Sequence, residues 1–151
     1  MLNSFSIQSE YVYVPVARTN GPNPSFQSAY VYVSYFLTGE YRPFQKMDSM
    51  FQRRTAVFDR VIPDTNFLKG ANSPGTPRGI GAFEVAARWS YLDLTDQGIL
   101  GGRLNELTVG LNWYMNPYTR VTLNYIKSFL DKAPFGNSNA DIYGMRFGFD
   151  F

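Results

Sequence analysis

The stretch Ile142–Phe151 alternates with a period of two: Tyr143, Met145, Phe147, Phe149 and Phe151 fall on odd positions, Gly144, Arg146, Gly148 and Asp150 on even ones. Successive side chains of a β-strand point to opposite faces, so this segment carries a continuous aromatic face and a face of glycines and charges. A soluble two-layer fold would bury the aromatic face under a second layer. A membrane β-barrel would turn it to lipid and the charged face to water.

Five further segments repeat the pattern. From about Ser4 to Arg18, Phe5, Ile7, Tyr11 and Tyr13 oppose Ser6, Gln8 and Glu10. From about Phe26 to Glu40, Val31, Val33, Tyr35 and Leu37 oppose Ser34, Thr38 and Glu40. Gly81–Leu94 sets Phe83, Val85, Ala87, Trp89 and Tyr91 against Glu84, Ala86, Arg88 and Ser90. Arg103–Met115 sets Leu107, Val109, Leu111 and Trp113 against Glu106, Thr108, Gly110 and Asn112. Thr119–Leu130 sets Val121, Leu123, Tyr125 and Phe129 against Arg120, Thr122, Asn124 and Ser128. A helical period fits none of these segments, so the chain reads as all-β: an antiparallel up-and-down meander of about six strands within one domain, residues 1–151. Odd-numbered residues of the last four strands are expected on one face.

No run of about 18 apolar residues is present, which excludes a transmembrane helix. Barrel strands are only half apolar and agree with the mean hydropathy of −0.24. Cysteine and histidine are both absent. Disulfides, thiol chemistry, His-based metal sites and His general bases are removed with them. No nucleophile–base constellation stands beside Glu84 or Glu106, so catalysis is not expected, and neither is a cofactor. A net charge of +2 is too small to imply a nucleic-acid partner. The start, Met1-Leu-Asn-Ser-Phe-Ser, has no signal-peptide pattern. An exported barrel needs one, so the chain is expected to be the C-terminal piece of a longer precursor.

Thr19–Pro24, Thr95–Gly98 and Phe135–Asn139 read as polar loops, and Asn116-Pro117 as a tight turn. With a periplasmic C-terminus, the 116–117 turn is periplasmic and the loops near 95–102 and 131–139 are external. Trp113, Phe149 and Phe151 then mark one membrane edge, and Tyr91, Phe129 and Tyr143 the other. Residues 41–80 form a long connection with Pro43, Pro63, Pro74 and Pro77. It holds Arg42, Lys46, Arg53, Arg54, Arg60, Lys69 and Arg78 against Asp48, Asp59 and Asp64. An extra strand near Thr55–Ile62 is an open alternative.

The segments Tyr35–Pro43, Phe58–Pro63, Gly81–Leu94, Gly110–Pro117 and Asn124-Tyr125 resemble, in order, the C-terminal part of the phosphate-selective porin O and P family. The resemblance covers nearly the whole chain. It implies the C-terminal portion of a 16-stranded outer-membrane β-barrel, usually a homotrimer, passing anions such as phosphate or polyphosphate across the bacterial cell outer membrane. Partners are then outer-membrane lipid, permeating inorganic anions and the barrel-assembly machinery. The family pattern places Lys before the proline of Phe58–Pro63, where this chain has Ile62. Tyr143, Phe147, Phe149 and Phe151 look like the terminal signal that marks such proteins for insertion.

Arg88, Arg120 and Arg146 fall on the polar faces, with Glu84 and Glu106, and would line a pore. They either contact a permeating anion or pair with Glu84, Glu106 and Asp150 across strands. Five inward carboxylates, Glu10, Glu40, Glu84, Glu106 and Asp150, outnumber these three arginines, so the wall alone is not basic. Arg53, Arg54, Arg60 and Lys69 are candidates for a cationic vestibule, against a solvated surface as the plainer reading. The leading function is passive anion diffusion. The alternative is a non-porin β-sheet binding or assembly module of the outer membrane, which would protect its two sheet edges.

Overall fold

The computed structural model describes residues 4–43, 59–67, 79–132 and 135–151. Six strands, β1 (Phe5–Pro15), β2 (Ser25–Phe36), β3 (Ala82–Asp96), β4 (Ile99–Asn116), β5 (Thr119–Asp131) and β6 (Asn137–Phe149), form one sheet. Their spatial order is the chain order, β1-β2-β3-β4-β5-β6, and every neighbouring pair is antiparallel. No helix occurs among the described residues.

Register joins the six alternations into two continuous faces. The line Tyr35, Val85, Leu111, Leu123, Met145 runs across directly paired residues, as does Ala87, Val109, Tyr125, Tyr143. Directly opposed residues share a face, so the odd residues of the six strands lie together up to the register shifts at Asp93/Thr95 and Tyr114/Asn116, beyond which odd residues pair with even ones. The even face carries Ser34, Glu84, Asn112, Thr122 and Arg146 on a second such line or beside it. A slip of one residue in any pair would move that strand's aromatic set onto the polar face.

Several boundaries differ from those the sequence suggests. Residues 95–102 do not form a long loop: β3 and β4 meet at the two-residue turn Gln97-Gly98, with φ of 47° and 82°. Two successive positive φ values match the right-handed twist of a tight hairpin, and glycine lowers their cost. β4 therefore starts at Ile99 and β6 at Asn137, earlier than the apolar alternation alone indicates. β1 ends at Pro15 and β2 at Phe36, so Arg18, Thr38 and Glu40 lie outside the strands. Of the span considered for an extra strand, residues 59–62 form none, and 55–58 lie outside the described residues. At the β4–β5 turn, the Asn116 side chain accepts the Tyr118 N–H at 2.8 Å and Pro117 presets φ, which closes a second two-residue connection.

The buried cluster is small and lies at one end of the even face. Phe36, Ala82 and Tyr114 from β2, β3 and β4 are covered by Val61 from the β2–β3 connection. The Phe36 and Tyr114 rings stand 5.8 Å apart. Gly81 leads into β3 with φ of 76°, and its missing side chain would collide with the Tyr114 carbonyl oxygen. The connection then crosses to the odd face. Phe67 meets the Trp113 ring edge-on at 4.8 Å, and Phe83 stacks on that ring at 5.7 Å. The Trp113 indole N–H donates to the Ile80 carbonyl at 2.7 Å.

Candidate functional site: the polar face at the 117–118 turn

β3 places Glu84 on the even face between Phe36 of β2 and Asn112 of β4. Its side chain is fully buried, yet ionisable groups rarely are without partners. Four donor atoms resolve this. Arg42 gives a two-pronged contact, Nε to Oε1 at 2.9 Å and Nη2 to Oε2 at 2.8 Å. Asn112 Nδ2 and the Tyr114 hydroxyl donate to Oε2 at 3.0 and 2.9 Å. Arg42 Nη2 also donates to the Tyr32 hydroxyl at 3.2 Å, and Thr122 donates to Asn112 Oδ1 at 2.8 Å. Burial by itself would lower the Arg42 pKa. The hydrogen bond and the field of Glu84 reverse the sign, so the guanidinium stays charged.

Arg42 belongs to the β2–β3 connection, and this connection is tied back on itself. The Asp59 N–H donates to the Pro43 carbonyl at 2.8 Å. Glu40 accepts from the Thr38 hydroxyl and from the Asp64 N–H. The Gly81 N–H reaches the Thr65 carbonyl at 3.1 Å, and the Phe67 N–H the Met115 carbonyl at 2.7 Å. Residues 59–61 are thereby laid against the β4–β5 turn.

A cleft of about 390 Å³ opens between them, lined by Arg42, Arg60, Arg120, Tyr118, Asp59 and Asp150 among others. The Arg60 guanidinium lies 4.7 Å from the Tyr118 ring centre, and that of Arg120 5.7 Å from the Tyr114 ring. Planar guanidinium groups held over rings keep their N–H edges available to an oxyanion. Of the three arginines Arg42 is already engaged by Glu84, so Arg60 and Arg120 face Asp59 and Asp150 in equal number and the cleft sets both signs of charge side by side.

The other candidates are dispersed. Arg88 lies 4.3 Å from the Tyr30 ring centre and borders a smaller cleft of about 220 Å³ that Glu106 also lines. Arg146, opposite Thr122 on β6, is exposed. Among the described residues the ion pairs are Arg42–Glu84, Arg103–Asp93 and Lys127–Asp141. The cross-strand pairing of Arg88, Arg120 and Arg146 with Glu84, Glu106 and Asp150 is thus not the arrangement found: Glu84 is taken by Arg42. Of the vestibule candidates, Arg60 reaches the cleft, while Arg53, Arg54 and Lys69 lie outside the described residues. Ile62 is 67% exposed between the buried Val61 and Pro63, so the family's Lys position points to solvent here. Tyr143, Phe147, Phe149 and Phe151 are all exposed, Tyr143 at 80% with its ring 5.2 Å from Tyr125. Along β6, Tyr143 stands opposite Tyr125, four residues short of the Phe129 partner Asn139, so Tyr143 and Phe129 do not share one line across the sheet.

An antiparallel sheet with one largely apolar face and one polar face has the alternation that barrel walls require. The family model for phosphate-selective porin O and P matches residues 1–151, and the chain belongs to that family. A protein of Caulobacter vibrioides that carries no functional name is 30% identical over 88% of this chain. Porin O of Pseudomonas aeruginosa is 24% identical over 97% of it. These matches take in 24% and 31% of the two relatives, so the chain spans roughly a quarter to a third of their length.

Proposed function

We propose that this chain forms part of the wall of a 16-stranded outer-membrane porin, trimeric when whole, through which small anions such as phosphate or polyphosphate diffuse. The observation that carries the reading is the division of the sheet into two faces. Large apolar residues on the odd face stand open, among them Tyr143, Met145, Phe147 and Phe149 on β6 alone. A soluble monomer rarely leaves so long an apolar band uncovered, whereas a lipid-facing wall requires it. Both outer edges support the same reading. Among the described residues nothing pairs with the free edge of β1 or of β6, and neither edge is covered. A self-sufficient module would protect them. In the whole protein the missing strands would complete the barrel at both edges.

On this reading the even face lines water and the cleft around Arg60 and Arg120 sits at one mouth. The Arg60 and Arg120 guanidinium groups, held over rings, would offer a passing oxyanion local contacts whose field salt screens over about 10 Å at 0.1 M. The test is the reversal potential of the full-length porin in planar bilayers. The double variant Arg60→Gln/Arg120→Gln should lose anion preference, and more at low salt than at high salt. Unchanged selectivity at both salt levels would move the selective element out of this chain. Absence of any channel from the wild-type protein would sink the porin reading itself.

A further inference from the structure

Glu84 presents a difficulty that its charge alone cannot resolve. An acidic side chain on the wall of an anion pore opposes the permeating ion, and this one is also wholly removed from water. Its four hydrogen-bond donors come from Arg42, Asn112 and Tyr114, which satisfies the carboxylate fully. From Arg42 a short chain of contacts leads to the cleft. Pro43, next in sequence, accepts the Asp59 N–H at 2.8 Å, and Arg60 follows Asp59. Arg60 then shares the cleft with Arg120, and Val61 fills the space beside Phe36 and Tyr114.

Resting on the porin reading above, we propose that Glu84 is a positioning residue for anion selectivity: by fixing Arg42 it docks residues 59–61 on the wall and holds Arg60 opposite Arg120. Its own charge is cancelled by the two-pronged Arg42 contact and therefore has little field left to act on a passing ion. The cost of burying Glu84 is offset only while that contact stands, which makes the docked arrangement the favoured one. The remaining ties, Glu40 to Asp64 and Gly81 to Thr65, keep the connection near the sheet when the Arg42 contact is lost. Loss of Glu84 therefore displaces Arg60 without unfolding the wall.

The sign of the effect distinguishes this role from simple electrostatics. Removing a negative charge from the pore wall raises anion preference if charge counting is all that matters. In the full-length porin, Glu84→Gln is expected to lower it instead, whereas Glu106→Gln, on the same face and away from Arg42, is expected to raise it. The chain contains no cysteine, so a thiol introduced as Val61→Cys reports directly on docking. In detergent, its modification by a charged thiol reagent should be slow in the parent background and about tenfold faster with Glu84→Gln, as a loss of roughly 1.4 kcal/mol in local closure gives. Arg42→Gln cuts the same link from the other side and should expose the thiol equally, which keeps the test open should Glu84→Gln fail to assemble. Equal thiol reactivity in all three backgrounds, or a rise in anion preference with Glu84→Gln, would overturn the proposal. The thiol measurement needs no conduction, so it stands apart from a failure of the porin reading.

Discussion

Two ion pairs tie this sheet together across its two faces, and their geometry is nearly the same. Arg42–Glu84 closes at 2.8 Å on the even face, and Lys127–Asp141 at 2.7 Å between β5 and β6 on the odd face. Their surroundings differ. Glu84 has no exposed surface and its partner keeps 21%, while Lys127 and Asp141 keep 30% and 42%. When the first pair is broken, a carboxylate is stranded away from water. When the second is broken, both survivors stand on the face that the porin reading turns outward, but they keep open surface and Asp141 still holds the Tyr125 hydroxyl at 2.6 Å. An ion pair matters in proportion to what its survivor loses, and length alone says little about that.

The largest effect expected from this comparison is at the buried pair. Arg42→Gln should destabilise the refolded full-length porin by on the order of 3 kcal/mol, because an uncompensated buried charge remains. Urea unfolding followed by gel mobility would measure it, and a loss well under 1 kcal/mol would erase the distinction between the two pairs. Next in size is a contrast between neighbours on β5. Leu123→Arg puts a charge on the odd face and should cost roughly 2–4 kcal/mol if that face meets lipid near the midplane, whereas Asn124→Arg on the even face should be tolerated. Equal costs for the two would mean that the faces are wrongly assigned.

A smaller, kinetic effect is expected at the chain end. Phe151 is fully exposed just beyond β6, as its proposed part in an insertion signal requires. Phe151→Asp should reduce the amount of intact porin reaching the outer membrane while leaving synthesis unchanged, as fractionation of cells would show. Normal amounts in the membrane would dismiss the signal. The smallest effect is the complement of the first. Lys127→Gln should lower the urea midpoint less than Arg42→Gln does, because Asp141 keeps the Tyr125 hydroxyl, and a drop as large would show that the odd-face charge is as badly stranded as the buried one.

The faces were legible from the residues alone. Phe147, Leu123, Leu111 and Val85 announce their side of the sheet by parity, because the pleat imposes a period of two on any strand whatever surrounds it. The up-and-down order followed too at the four short connections, where polar punctuation favours pairing of sequence neighbours, but the long link from β2 to β3 carries no such signal. The ends of the strands were less legible. Ile99–Gly102 and Asn137–Ala140 carry glycines and polar residues in place of alternation, and they became strand only because a neighbouring strand offered hydrogen bonds. Turn chemistry at Gln97-Gly98 was masked by the same polar composition that suggested a longer loop.

The candidate site divides along the same line. Arg120 and Glu84 could be placed on the even face from parity, and Arg60 could be named as a vestibule cation from the charge of the 41–80 connection. That Arg42 takes Glu84 could not be read off the chain. The two residues are 42 positions apart, one on a strand and one in a connection without periodicity, so no local rule relates them. Sequence by itself determined which side each wall residue faces, because that choice is made by backbone geometry within the strand. Only the tertiary structure decided which arginine meets which carboxylate, because that choice depends on where a long connection returns to the sheet, and there Val61 packs on Phe36 and Tyr114 while Arg42 meets Glu84.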